Sequence, residues 1–413
     1  MGSVNLDNTG SGSEITLSSD GTSLLLDGTA IGGGGGSPDL YADSANGSAV
    51  TPTANAGGSY NSVAIGNGAD IGSGRGDSIA IGTDALANQS QALAIGRSAT
   101  VNSSGTWGTA VGRNSVVNGQ SAVALGNSYS AGTDSFAAVI DNNTSSYGAT
   151  GTSSIAMSYL AKATQSYAFA QGYQAQATGN SCVALGFQAQ TSNGVALGYR
   201  GKADALRTFG VNNNGGGATG NFSTAIGDGC LSSGSVSVAI GIGAQATGTY
   251  SWATGARTNT NGLTGKHVWS GIALSGNNDG STQTGTMVLA IATTDATATA
   301  ITSNGLAAST TNQVGPPNNS AYAFHGIIVA RQKASEGTAS AAWKVEGLIR
   351  REGSAGTTVL VASTVTAISN APSWGMALTA DTTYGCLKVE ATGAASTNIR
   401  WVGTIETSEL IYA

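Results

Sequence analysis

One short pattern, apolar-Ala-apolar-Gly with a small residue in front, recurs along the middle of the chain and limits what the chain can fold into. It reads SVAIG at Ser62 to Gly66 and SIAIG at Ser78 to Gly82, then ALAIG ending at Gly96. TAVG follows at Gly112, AVALG at Gly126, CVALG at Gly186, GVALG at Gly198, STAIG at Gly227, SVAIG at Gly241 and SWATG at Gly255. Degenerate copies lie between: Ser135-Phe-Ala-Ala-Val139, Ser154-Ile-Ala-Met-Ser158 and Ser166-Tyr-Ala-Phe-Ala170. Neighbouring motif glycines sit 12, 14 or 16 residues apart, as in Gly186 to Gly198, Gly82 to Gly96 and Gly66 to Gly82. The polar links between them often carry Ala-x-Ala, as in Gln174 to Ala177 and Ala244 to Ala246.

A five-residue strand places its second and fourth side chains on one face, so Val63 and Ile65 point together and Ala64 points oppositely. Such a strand is too short to stand alone. Stacked coil on coil, each pairs with the strand above and below, and the expected core is the Val/Ile face. The recurring Gly fits a corner that needs positive φ or a close backbone approach. The fixed Ala implies a surface facing either the next coil or a sister chain, where nothing larger fits.

Composition agrees with a fibre. The chain has 413 residues, 63 of them Gly, with 9% charged and 40% hydrophobic residues and a net charge of −6. That apolar content and modest charge argue against disorder, while a globular enzyme of this length would be about a quarter charged. Cys182, Cys230 and Cys386 have neither disulfide-framework nor CxxC spacing and are expected to be small buried side chains. The N-terminus has no basic region followed by an apolar run, so no signal peptide is expected. No stretch approaches the ~20 apolar residues of a membrane helix, and membrane insertion is not expected.

The repeat resembles the head repeat of the trimeric autotransporter adhesins, the YadA-like head, over about residues 60–255. Asn61-Ser62-Val63-Ala64-Ile65-Gly66 matches the NSVAIG of that repeat residue for residue. The resemblance implies a left-handed parallel β-solenoid with three chains side by side, hence a homotrimer. In that family the NSVAIG surface can bind matrix proteins such as collagen, a role carried here only onto Asn61 to Gly66. The chain departs from the pattern around 127–182, where Val139, Ser158 and Ala170 stand in the Gly place, and longer loops are expected there. The coiled-coil stalk and barrel anchor of the family have no counterpart in the sequence.

The flanks differ in texture. Residues 1–40 read as short strands, Ser13 to Leu17 and Ser23 to Leu26 around a turn at Ser19-Asp-Gly21, closed by a linker at Gly32 to Gly36. This module is expected to attach the shaft of residues 41–258 to other virion proteins of a tail or baseplate. Residues 259–413 carry longer alternating runs, including Met287 to Ala292, Ala323 to Ala330, Ala341 to Arg350 and Ile399 to Glu406. Trp343, Val345, Gly347 and Ile349 alternate with Lys344, Glu346 and Arg350, so one face is buried, as in a β-sandwich of jelly-roll type. This region resembles the terminal β-domains of tailed-bacteriophage fibres.

Chemical motifs are sparse. Gly-rich strings such as Gly72-Ser-Gly74-Arg-Gly76 lack a following helix, and Gly265-Lys266-His267 is no Walker sequence, so nucleotide binding is excluded. His267 and His325 have no partner at metal or triad spacing, and neither a metal site nor a cofactor is expected. The carboxylates are scattered, which argues against glycoside hydrolysis; the expectation is a protein without catalytic residues. Arg75-Gly76-Asp77 spells an integrin-binding tripeptide and is read as coincidence in so Gly-rich a chain. Lys and Arg form no basic stripe for nucleic acid. Trp252, Trp343 and Trp401 occupy strand positions expected in the core. Trp374, placed after Pro372 in an expected loop, is a candidate for a host-surface glycan or protein receptor, together with Asn277, Asn278 and Asp279 and with Asn318 and Asn319. An aromatic platform beside Asn and Asp suits carbohydrate.

The expected molecule is therefore all-β: a trimeric solenoid shaft with a C-terminal sandwich, serving as a phage tail fibre for host attachment. It would be found on the virion and assembled in the host cytoplasm. A head or vertex fibre and the passenger of a bacterial trimeric adhesin are the alternatives.

Overall fold

The computed structural model describes residues 61–413 except 143, 273, 275–278, 370–373 and 413, together with four short N-terminal strands. Those strands, Val4–Leu6, Ile15–Ser19, Leu24–Leu26 and Thr29–Ala30, form an antiparallel sheet in chain order. Leu17 pairs with Leu26, so the strand–turn–strand reading holds. The Gly32–Gly36 linker lies outside the described residues. Two compact units divide the chain, residues 1–160 and 161–413.

Both units contain the parallel solenoid. In the first, Ile79–Ile81 pairs with Leu93–Ile95, which pairs with Thr109–Val111 and onward to Val123–Leu125, Phe136–Ala138 and Ile155–Met157. In the second, Phe169–Gln171 leads through Val183–Leu185, Gly194–Leu197 and Thr208–Val211 to Thr224–Ile226, Val238–Ile242 and Trp252–Ala256. A second parallel ladder of two-residue strands, such as Leu86–Ala87, Thr100–Val101 and Val116–Val117, closes each coil.

The orientation of the repeat corrects the sequence reading. The motif alanines, not the Val/Ile pairs, fill the interior: Ala80, Ala94, Ala110 and Ala124 are fully buried, as are Ala225, Ala239 and Ala253. They meet Ala87, Val101 and Val117 from the facing ladder in the first unit, and Ala246 in the second. The two sheets lie so close that a methyl group fills the gap. Val63 and Ile79 point outward, 40% and 36% exposed.

The Ser before each strand has a bonding role. Ser135, Ser154, Ser237 and Ser251 each donate Oγ–H to the carbonyl three residues back at 2.6 Å, closing the turn. Cys182 takes the same place and makes the same bond through Sγ to Gly179 at 2.9 Å. All three cysteines are free and buried; burial pushes the Cys182 and Cys230 thiols up, and that of Cys386 to about 12.

The corner glycines satisfy both expected demands. Gly82 and Gly96 have φ near +129° and +128°. A Cβ on Gly96 would lie 2.6 Å from the Gly112 carbonyl oxygen, a clash with no flexible side chain to move. Where the corner is not Gly, the left-handed backbone persists, with φ +56° at Val139 and +87° at Ser158. The third apparent exception was a register error. Ala170 pairs with Ala184 and faces inward, and Gly172 is the corner, at φ +127°. The expected longer loop does lie between Ala138 and Ile155, yet those strands still pair. Gly96→Ala should lower stability by about 2–4 kcal/mol through strain and clash. Gly74→Ala, where nothing lies within 4 Å of the added Cβ, should cost nearer 1 kcal/mol. Urea unfolding of the two variants tests this; equal midpoint shifts would show that the stacked corner is not a close contact.

Within the second unit the parallel stack runs directly into an antiparallel sheet. Its strands are β1 (His267–Ser270), β2 (Thr282–Thr293), β3 (Thr299–Ala300), β4 (Ser320–Gln332) and β5 (Ser340–Arg351). They continue as β6 (Val359–Ser369), β7 (Gly375–Asp381), β8 (Cys386–Thr392) and β9 (Ile399–Ile411). Trp252–Ala256 pairs with β1, and the wide sheet then runs β1-β2-β9-β4-β5-β6. A narrow sheet, β3-β8-β7, lies against it. Between them Leu289, Tyr322, Ile328, Trp343, Val345, Leu387 and Trp401 form the core. The order β2-β9-β4 with β3-β8 follows jelly-roll wrapping; β4, β5 and β6 then pair as consecutive hairpins instead of crossing between layers.

Candidate functional site

The tryptophans sort by face, and two of them correct the sequence expectation. Trp343 and Trp401 are core residues stacked at 5.3 Å, with Trp401 Nε1 donating to Thr293 Oγ1 at 2.9 Å. Trp374 joins them, 7% exposed and tilted against Trp401 at 5.8 Å. It follows a Pro and precedes a Gly, but its ring completes the core and offers no surface platform. Trp252 is 46% exposed because it takes the outward Val/Ile place of its coil. Its ring stacks on His267 at 5.1 Å.

The turns chosen from the sequence meet at one end of the wide sheet. Ile411 N donates to Ser281 O and Tyr412 N to Asn319 O, so the end of β9 lies between the loop carrying Asp279 and the turn at Asn318-Asn319. Asn277 and Asn278 lie outside the described residues. Asp279 pairs with Arg257 at 3.7 Å and accepts a hydrogen bond from Gln245. Burial raises its carboxyl pKa, and Arg257 and Gln245 oppose that rise. Asn318 Nδ2 donates to Gly353 O at 3.0 Å, and Asn319 takes the left-handed turn at φ +57°. These side chains shape the turns while remaining at the surface.

Sequence reasoning missed the apolar side chains they frame. Trp269, Ile272, Leu274, Leu410 and Tyr412 are exposed, Trp269 at 58% and Tyr412 at 89%. A groove of about 360 Å³ runs between Trp269, Ile272, Thr284, Ser408 and Leu410. The available signal was β1 itself: in His267-Val-Trp-Ser270, Val268 is buried, so Trp269 must point out. An exposed aromatic beside aliphatic side chains, rimmed by amides and charges, is the composition of a recognition surface.

Asn61 to Gly66 sits at the start of the first unit's coils. Asn61, at φ +57°, donates Nδ2–H to Asp77 Oδ1 at 3.1 Å, and Ser62 Oγ donates to Arg75 O at 3.2 Å. Arg75 is half-buried and bonds Gln89, and Gly76 is buried. The Arg-Gly-Asp tripeptide is therefore built into a coil and is not displayed on a loop tip.

The outward Val/Ile places leave apolar side chains exposed along the coils, Val63, Ile79 and Ile155 in the first unit and Trp252 in the second. In the second unit the column passes in register from Val238 and Ile240 to Trp252 and Thr254, then to His267 and Trp269. Among the described residues no cluster of His, Cys, Asp and Glu is arranged to hold a metal, and no helix is long and apolar enough to cross a membrane.

A buried ion pair ties the last coil to the sheet. Lys266 Nζ lies 2.7 Å from Glu409 Oε1, with both side chains buried. Gln283 Nε2 and Thr407 Oγ1 donate to the same carboxylate at 2.6 and 2.7 Å, and Lys266 Nζ lies 5.2 Å over the Tyr322 ring. Burial, then the Glu409 charge, pushes the Tyr322 hydroxyl well above its ordinary value.

No curated protein sequence matches the chain. Residues 76–99, 103–128, 163–189 and 232–258 match the family model of the YadA head domain repeat (2 copies), so the coils in those segments are similar in sequence to YadA head repeats.

Proposed function

We propose that the chain is a homotrimeric, non-catalytic adhesin fibre whose solenoid holds the C-terminal sheet out to a cell surface, in the manner of a phage tail fibre. The observation that carries this reading is the solenoid's outward apolar face on a sequence matching YadA head repeats. A ladder of partly exposed outward side chains, Val, Ile or Leu in most coils and Phe or Trp in others, needs a partner surface. Three chains presenting the same face to one another supply it, as the repeat family implies. Trimerisation would also multiply weak receptor contacts. Chain packing is assigned to the coils that precede Trp252–Ala256, and the groove at Trp269, where the column continues onto β1 beyond the last coil, is the proposed contact site.

The passenger of a bacterial trimeric adhesin accounts equally well for the repeats. Gold-labelled antibody to residues 259–413 separates the readings: label on tail tips supports the phage fibre, on particle heads a vertex fibre, and on cell envelopes the bacterial passenger. Trp269→Ala in the full chain should weaken cell binding by about 2 kcal/mol or more, as for a central aromatic anchor, with an unchanged melting temperature. Equal binding by this variant and the parent would remove the groove from the proposed function.

A further inference from the structure

We propose that Arg331 and Arg400 form a binding subsite for the carboxylate of an acidic polysaccharide, at the opposite end of β4 and β9 from the Trp269 groove. The two arginines are direct cross-strand partners in antiparallel pairing, both exposed on the outer face. Like charges so placed repel and destabilise the sheet. Other cations of β4, β5 and their connections are neutralised: Lys333 by Glu336 at 3.8 Å, Lys344 by Glu346 at 2.8 Å and, towards the far end of the sheet, Arg350 by Glu352 at 3.2 Å. Among the described residues neither the Arg331 nor the Arg400 guanidinium has an ion pair or hydrogen bond. Two uncompensated guanidinium groups thus face each other, and an anion between them would relieve the repulsion.

The surroundings select the kind of anion. Both arginines line a cavity of about 520 Å³ whose wall includes Ala292, Gln332 and Asn398. Glu336 is engaged by other partners, pairing with Lys333 and accepting Asn398 N and Nδ2 at 3.0 and 2.5 Å. The next outward residues on the same strands, Val329 and Val402, are 51% and 45% exposed and form an apolar floor beside the charge. A guanidinium fork matches a carboxylate in plane, and aliphatic side chains and amides suit the CH face and hydroxyls of a sugar ring. Two arginines in a chain of net charge −6 make no track for nucleic acid. Arg400 lies six residues along β9 from Glu406, which stands in register with the solenoid's outward column. At strand rise that is about 20 Å, enough to keep the subsite clear of chains packed along the solenoid.

This inference rests on the attachment reading and names its ligand class. The full chain is titrated with polygalacturonate, neutral dextran and double-stranded DNA. Polygalacturonate should bind and dextran should not. Arg331→Gln or Arg400→Gln should each weaken binding about tenfold, the scale of a lost charged hydrogen bond. Arg331→Lys with Arg400→Lys keeps the charge, removes the fork, and should still lose most affinity. Melting temperatures of the glutamine variants should equal or exceed the parent's, because the repulsion is gone. Unchanged polygalacturonate binding in the double glutamine variant overturns the proposal, as does DNA binding of equal strength or equal affinity for dextran. Cell attachment without polygalacturonate binding sinks the subsite alone. Polygalacturonate binding that depends on the arginines, without cell attachment, sinks the attachment reading alone.

Discussion

Replacing Lys266 by methionine is expected to destabilise the C-terminal sheet by about 3–5 kcal/mol, the cost of leaving a buried charge without its partner. Glu409 would keep two hydrogen-bond donors, Gln283 and Thr407, but no cation in a site from which water is excluded. Glu409→Leu alone should be as damaging, since the ammonium group then stays buried over the Tyr322 ring. The double replacement Lys266→Met with Glu409→Leu should recover most of the loss, because apolar side chains of similar volume can match a buried pair. Crowding reinforces the point: a Cβ on Gly285 would lie 2.3 Å from Glu409 Oε1 and 3.1 Å from Lys266 Cε. Urea unfolding followed by tryptophan fluorescence reads the effect, since Trp343, Trp374 and Trp401 share that core. Additive losses in the double variant would show that the two charges do not stabilise each other.

That cluster marks a limit of sequence reading. Lys266 and Glu409 are 143 residues apart, and nothing near either one announces the other. The repeat was legible because stacked coils place equivalent residues at a fixed interval, so periodicity in sequence is periodicity in space. Strand alternation separated Val63 and Ile65 from Ala64, yet it could not say which side was interior. The answer depends on the distance between two sheets, which is set by Ala87, Val101 and Val117 in links where the sequence shows only Ala-x-Ala or its variants. Trp252 went with that error, and Ala170 shows that a degenerate copy can be misread by two residues while the Gly172 corner is intact. At the candidate site, Asp279 and Asn318-Asn319 were legible as turns because Gly, Pro and Asn fix turn geometry locally. Trp374 carried the same local signals and is buried, because what decides its place is Trp401 across the core.

The inverted face leads to the second large effect. If the outward Val/Ile column packs chains together, Ile226→Lys with Ile240→Lys should dissociate the trimer and leave each chain folded. The two isoleucines are stacked partners, half-buried in the single chain and flanking the interior Ala225 and Ala239. Replacing outward side chains costs the isolated solenoid little, within about 0.5 kcal/mol each. In a trimer the same lysines would be buried against apolar neighbours with no acid to meet them, at several kcal/mol per unpaired charge. Gln176→Lys, an outward position on the opposite ladder, should leave assembly intact. Light scattering of the three proteins should give three chain masses for the parent and Gln176→Lys, and one for the double isoleucine variant, with unchanged β-type circular dichroism throughout. A parent with the mass of one chain would refute the trimer. A parent trimer that survives both lysines would place the three-fold contact on another face of the coil, and the exposed Val and Ile ladder would then have to be covered by something other than a sister chain.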